Sequence, residues 1–128
     1  MEDTQQKLVR KLEEWQEDEL AIYDYFIAKA LSFTNLKIRR PENKVKGCAS
    51  GLWFAVSLNN GMIEAVADSD SLIIKGIALS ICEIYNGMTL EAAKKTEITF
   101  LNNFDLAGEL DENRRNGLSQ ISQIIRKL

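Results

Sequence analysis

The sequence predicts an α+β protein in which a small antiparallel β-sheet packs against several helices. Two observations lead there. First, a run of period-2 alternation from Leu52 to Asn59 ends in Asn59-Asn60-Gly61, and a second run, Met62 to Ala67, follows it. Asn and Gly supply the positive φ angles of a tight hairpin turn, so the two runs read as paired strands. Second, apolar residues recur at spacings of three and four on both sides of this hairpin, in the order helix, helix, hairpin, helix, short helix, helix. Helices segregated around one antiparallel hairpin define the α+β class. With 128 residues and no repeat or low-complexity linker, the chain is expected to form one domain over residues 1–128.

In chain order, Asp3 or Thr4 caps a first helix with Leu8, Leu12 and Trp15 on one stripe. Asp18 caps a second, whose apolar positions Leu20, Ile22, Tyr23, Phe26, Ile27, Ala30 and Leu31 carry it to about Ser32. Periodicity then vanishes from Phe33 to Gly47, a charged stretch that contains Pro41, the chain's one proline. A loop of this length inside a small domain usually carries function. After the hairpin, Asp68-Ser69-Asp70-Ser71 offers several caps for a helix over Leu72 to Tyr85, apolar around most of its circumference and so expected to be central. Gly76 within it costs about 1 kcal/mol in helix propensity relative to Ala, and close packing against the sheet is the expected reason. Thr89 caps a short helix, Leu90 to Lys95. Ile98 to Leu106 is an irregular apolar stretch expected to cover the core, and Asp111 opens a last helix that Gly117 and Ser119 weaken slightly.

Composition removes several classes of function. A net charge of −3 with acids and bases interspersed gives no general field for nucleic acid, although Lys37, Arg39, Arg40, Lys44 and Lys46 form a local basic cluster. The acidic, polar N-terminus resembles neither a signal nor a transit peptide, no apolar run approaches a membrane span, and two widely separated cysteines fit a reducing, cytoplasmic setting better than a disulfide framework. The absence of histidine excludes Cys-His and Ser-His-Asp nucleophile systems. Two cysteines with no Cys-x-x-Cys pair provide neither a structural metal site nor a cluster site, so no cofactor and no metal are expected.

What remains is a thiol on a loop. In Asn43–Phe54, NKVKGCASGLWF, Cys48 lies between Gly47 and Gly51 and follows Lys44 and Lys46. Only the thiolate is a good nucleophile, so an active Cys48 needs help from these lysines, from the amides around Gly47, or from a distant arginine folded onto the site. Cys82, inside the most apolar helix, reads as core. Asp68 and Asp70 read as caps or turn formers before they read as acid/base or metal groups.

Taken together, Pro41 and Asn43 in the loop, Gly47-Cys48 followed by Ser50 and Trp53, the segment Asp68 to Gly76, Tyr85-x-x-Met88-Thr89 and Arg114-x-x-Gly117-Leu118 resemble the SufE family of sulfur acceptors. The resemblance implies a fold similar to SufE and to the IscU scaffold, although such a scaffold holds its cluster with three cysteines. It implies that Cys48 accepts sulfur from a pyridoxal-phosphate-dependent cysteine desulfurase, stimulating it, and passes the sulfur on to cluster scaffold proteins. In this role the chain is an accessory protein rather than a stand-alone enzyme. Asn43, Lys44, Lys46, Gly47, Ser50, Asp70 and Arg114 then become supporting or partner-contact residues. Ala49 and Gly51 depart from the family, where polar residues, often glutamine, are usual. Two rival readings are a non-carrying allosteric partner of a desulfurase and a redox-sensing thiol.

Overall fold

The computed structural model describes residues 2–48 and 50–128. Among these residues it contains five α-helices and one two-stranded antiparallel sheet: α1 (Thr4–Glu14), α2 (Glu19–Leu31), β1 (Leu52–Asn59), β2 (Met62–Ser69), α3 (Leu72–Tyr85), α4 (Leu90–Lys95) and α5 (Glu112–Arg126). The fold is α+β, as the sequence predicts.

Each helix begins at a side-chain cap. Asp3, Asp18, Ser71, Thr89 and Asp111 accept hydrogen bonds from the backbone N–H groups of Gln6, Ala21, Ile74, Ala92 and Arg114, which would otherwise be unpaired at the helix starts. In α1 the Gln6 side chain also accepts from the Asp3 N–H, closing a capping box. The hairpin turns at Asn60 and Gly61, with φ of 54° and 78°, and pairs β1 with β2 from Asn59↔Met62 to Leu52↔Ser69. Both central residues are left-handed, which matches the twist of the flanking strands.

α3 is the central element. It packs against α2 on one side and β2 on the other, and Ile73 to Cys82 are all buried. The sequence argument assigns Gly76 to the sheet contact, but the structure puts it against α2: a Cβ there would lie 2.6 Å from the backbone carbonyl carbon of Phe26 and closer still to its oxygen. The chain therefore uses glycine where two helix backbones meet. The irregular stretch does cover the core, through a 3-10 turn at Phe100–Asn103. Phe26, Phe100 and Phe104 stack there with ring centroids 5.2 to 6.3 Å apart. Cys82 is buried, in keeping with its core assignment.

The long loop between α2 and β1 carries two 3-10 turns, Leu36–Ile38 and Pro41–Asn43. Arg39, between them, ties it to the hairpin. Its guanidinium donates to Asp68 Oδ2 at 2.8 Å, Asp70 Oδ1 at 2.8 Å and the Ser69 carbonyl at 3.2 Å, and it lies 4.6 Å from the centroid of the Trp53 ring. Asp68 is almost fully buried, and the buried Lys75 ammonium approaches its other oxygen at 3.8 Å. Asp68 and Asp70 are therefore not helix caps: Ser71 caps α3, and the two carboxylates hold the loop. The same contacts pair the charge of Arg39 within the basic cluster.

Candidate functional site

Cys48 lies in the segment that leads from the loop into β1, pressed against the last helix. Three contacts along one face of α5 fix it there. The Gln120 side-chain amide donates to the Lys46 carbonyl. Gly47, with φ of 79°, turns beside the Asn116 and Gln120 amides, where a Cβ would come within 3.2 and 3.4 Å of their nitrogens. Cys48 then meets the helix backbone itself: a Cβ on Gly117 would stand 2.5 Å from Cys48 Cβ and 2.8 Å from its Sγ. The Cys48 side chain thus occupies the space that any other residue at position 117 would fill.

The downstream side is held independently. The Gly51 carbonyl accepts from the Ser69 hydroxyl at 2.6 Å and from the Asp70 N–H at 3.1 Å. Gly51 itself is crowded by Asp70 and by Trp53, whose Cη2 would lie 2.8 Å from an added Cβ. Glycine here is a packing requirement set by the same carboxylate that binds Arg39. Ala49 lies outside the described residues.

Arg114, in the first turn of α5, reaches back to this loop. Its Nε donates to Ser50 Oγ at 3.2 Å, and its Nη1 bonds the Glu109 carbonyl at 3.2 Å and pairs with Asp111 at 3.4 Å. The thiol is half-buried, and burial pushes its pKa up. The Ser50 backbone N–H and the Arg114 charge pull it down, while Asp111 pushes in the same direction as burial. Of the sources the sequence leaves open, the lysines, the loop amides and a distant arginine, the structure brings a loop amide, that of Ser50, and the distant Arg114 to the thiol. At rest the net effect is a protonated thiol held above its ordinary range, because removal from water outweighs the Ser50 N–H and the Arg114 charge together.

The predicted site residues therefore fall into two groups. Cys48, Gly47, Ser50 and Arg114, with the Lys46 carbonyl, converge on the α5 face. Asp70 stands behind Gly51 as part of the Arg39 anchor. Asn43 and Lys44 serve the loop itself: the Asn43 amide donates to the Ile38 carbonyl at 3.1 Å, and Lys44 bridges to Trp53, with its ammonium 6.0 Å from the indole centroid. Lys44 and Lys46 are exposed in the segment that precedes Cys48. Asn116 and Gln120 escaped the sequence argument, and so did the anchoring role of Arg39, which it placed only in the basic cluster. Polar residues on an amphipathic helix or in a charged loop carry no local sign of a partner so many residues away.

Cys82, the other thiol, has its pKa raised strongly by burial and takes no part in this arrangement. No group of three or more Cys, Asp or Glu among the described residues is placed to hold a metal ion, and no described helix is long and apolar enough to cross a membrane.

Fold and site define a small α+β protein that presents a half-buried, arginine-backed thiol from a loop clamped to its last helix. The chain belongs to the SufE family: the model described as "SufE: Fe-S metabolism associated domain" matches residues 4–128, and this places the protein in iron-sulfur metabolism.

Proposed function

We propose that the protein, acting as a single domain, is a sulfur acceptor and carrier whose acceptor atom is Cys48 Sγ. The donor is a persulfide on the cysteine of a pyridoxal-phosphate-dependent desulfurase. Cys48 loses its proton, and its thiolate attacks the outer sulfur of that persulfide. A new S–S bond forms at Cys48, the donor's S–S bond breaks, and the donor cysteine leaves as a thiolate that takes up a proton. The sulfur then passes to a cluster scaffold protein by the same exchange. No external oxidant or reductant is needed, because one persulfide replaces another.

The observation that carries this reading is the seating of Cys48: a thiol half-withdrawn from water, with the Ser50 N–H and the Arg114 guanidinium as the groups that favour its anion. A reactive persulfide needs such shelter from small reductants, and a protein partner can supply what the resting site lacks. Exposed Lys44, Lys46 and Arg40 border the loop and provide a basic rim for an acidic partner surface. The setting in which such exchange persists is a reducing cytoplasm.

The test is to incubate the protein with a desulfurase and free cysteine and to examine it by intact mass and peptide mapping. One added sulfur atom on Cys48, absent from Cys48→Ser, is the expected result. Desulfurase stimulation that survives undiminished in Cys48→Ser, with no sulfur on the wild-type chain, overturns the carrier and leaves an allosteric partner.

A further inference from the structure

We infer that Gly117 is a positioning residue for Cys48: the missing side chain on α5 forms the seat that admits the thiol and thereby sets its exposure and reactivity. This inference deepens the carrier reading but does not depend on it, because thiol exposure can be measured without any sulfur donor.

The argument starts from a cost. Gly117 lies in the interior of a fifteen-residue helix, is buried, and has no positive φ to justify it. In such a position glycine costs about 1 kcal/mol in helix propensity relative to alanine. Something must require the absence of a Cβ, and among the described residues the three atoms nearest that position all belong to Cys48: Cβ at 2.5 Å, Sγ at 2.8 Å and Cα at 3.3 Å. An approach of this kind is below any ordinary carbon contact, and the obstacle on the other side is helix backbone, which cannot rotate away. An alanine at 117 can be accommodated only if Cys48 leaves the helix.

The surroundings show that the seat is built for this one segment. Gln120 lies one turn further along and holds the Lys46 carbonyl, Asn116 and Gln120 flank Gly47, and Arg114 lies three residues earlier and holds Ser50. Positions 114, 117 and 120 or 121 share a helix face, so the residues before and after the cysteine are held by side chains while the cysteine is held by a gap. Withdrawal from water at this gap is also the largest influence on the thiol. Closing the gap therefore exposes the thiol and returns its titration toward the ordinary range, while α5 gains helix propensity.

Gly117→Ala tests the inference in two ways. In the first, alkylation of Cys48 by iodoacetamide is followed from neutral to alkaline pH, with the adduct located by peptide mass. The variant is expected to react faster at neutral pH by up to about tenfold, with its titration midpoint moved down by as much as one unit. A folded variant with the wild-type rate and midpoint overturns the inference. In the second, a double-mutant cycle with Cys48→Gly is read by thermal unfolding. Gly117→Ala is expected to lower the melting temperature or leave it unchanged when Cys48 is present, and to raise it when position 48 is glycine. Equal effects in both backgrounds overturn the inference. If Gly117→Ala alone does not fold, recovery of folding in the double variant supports the seat, and failure to recover overturns it. Absence of added sulfur on Cys48 of the wild-type chain in the desulfurase assay would defeat the carrier reading and leave both of these results standing.

Discussion

Asp70 occupies the space that a side chain at Gly51 would need, and the same carboxylate accepts a 2.8 Å hydrogen bond from Arg39. The loop that carries Cys48 is thereby connected through Gly51 and Asp70 to a guanidinium that also holds the buried Asp68. Gly51→Ala is expected to displace Asp70 and the start of β1, with a loss of about 1 to 3 kcal/mol, the range for overpacking a close contact. Chemical denaturation checks the value. Glutamine at this position is expected to cost at least as much.

Arg39 is expected to be the most sensitive charged residue of the fold. Removing it leaves Oδ2 of the almost fully buried Asp68 without its guanidinium partner, while Oδ1 keeps the Ser69 N–H at 2.9 Å and the Lys75 ammonium at 3.8 Å. Breaking a buried pair from one side strands a charge, so Arg39→Ala is expected to lose about 3 kcal/mol in a denaturant titration. Arg39→Lys should recover only part of this, because an ammonium cannot reproduce a planar fork shared between two carboxylates and a carbonyl while stacked on Trp53.

At Gly76 two effects oppose each other and their sizes decide the sign. Alanine would gain about 1 kcal/mol of helix propensity, but its Cβ would meet the Phe26 backbone 2.6 Å away, where no rotamer change gives relief. The clash is expected to prevail, with a net loss of about 2 kcal/mol and a lower melting temperature. A stabilised Gly76→Ala would mean that α2 and α3 are further apart than described.

These positions mark the boundary of what the sequence makes legible. Caps, hairpin and helix limits are local: Ser71 and Leu72–Tyr85, or Asn59-Asn60-Gly61, are written in residues a few places apart, and the structure matches them closely. The reason for a glycine is not local. Gly76 answers to Phe26 and Gly117 to Cys48, pairs separated by tens of residues, and propensity arguments register only the cost. The same holds for charge. Lys44 and Lys46 are near Cys48 in sequence, yet Arg114 is the cation that lowers the thiol's pKa, brought there by the packing of α5.

Alkaline pH is expected to destabilise the fold. Cys82 and Cys48 both have folded pKa values raised above 9.0 by burial, and Tyr85 is raised above 10.0 by the same cause. Below these values the folded and unfolded chains hold the same protons, and the full stability is present. Above 9.0 the unfolded thiols release protons that the folded chain retains, so stability falls until the folded groups titrate in turn, by up to about 1.4 kcal/mol per pH unit for each thiol. Denaturation midpoints taken on either side of 9.0 measure the loss, and Cys82→Ala should flatten it although it lowers stability at neutral pH.

Arg114 is expected to govern how much of Cys48 is reactive at neutral pH. Replacement by alanine removes the charge that lowers the thiol's pKa and leaves burial and Asp111, which both raise it. It also removes the 3.2 Å bond to Ser50, which loosens the loop and acts in the opposite direction by admitting water. The electrostatic loss should prevail, because the Gln120 bond to Lys46 and the contact of Cys48 with Gly117 still hold the segment on α5. Alkylation and persulfide acceptance at neutral pH are therefore expected to fall together, by roughly three- to tenfold for a pKa rise of half to one unit. Both should recover as the pH is raised, whereas a purely structural defect would not recover. Arg114→Lys should keep most of the charge effect and lose the Ser50 bond, so its pH midpoint should stay near that of the wild type. A midpoint as high as that of Arg114→Ala would show instead that the hydrogen bond, and not the charge, sets the reactivity of Cys48.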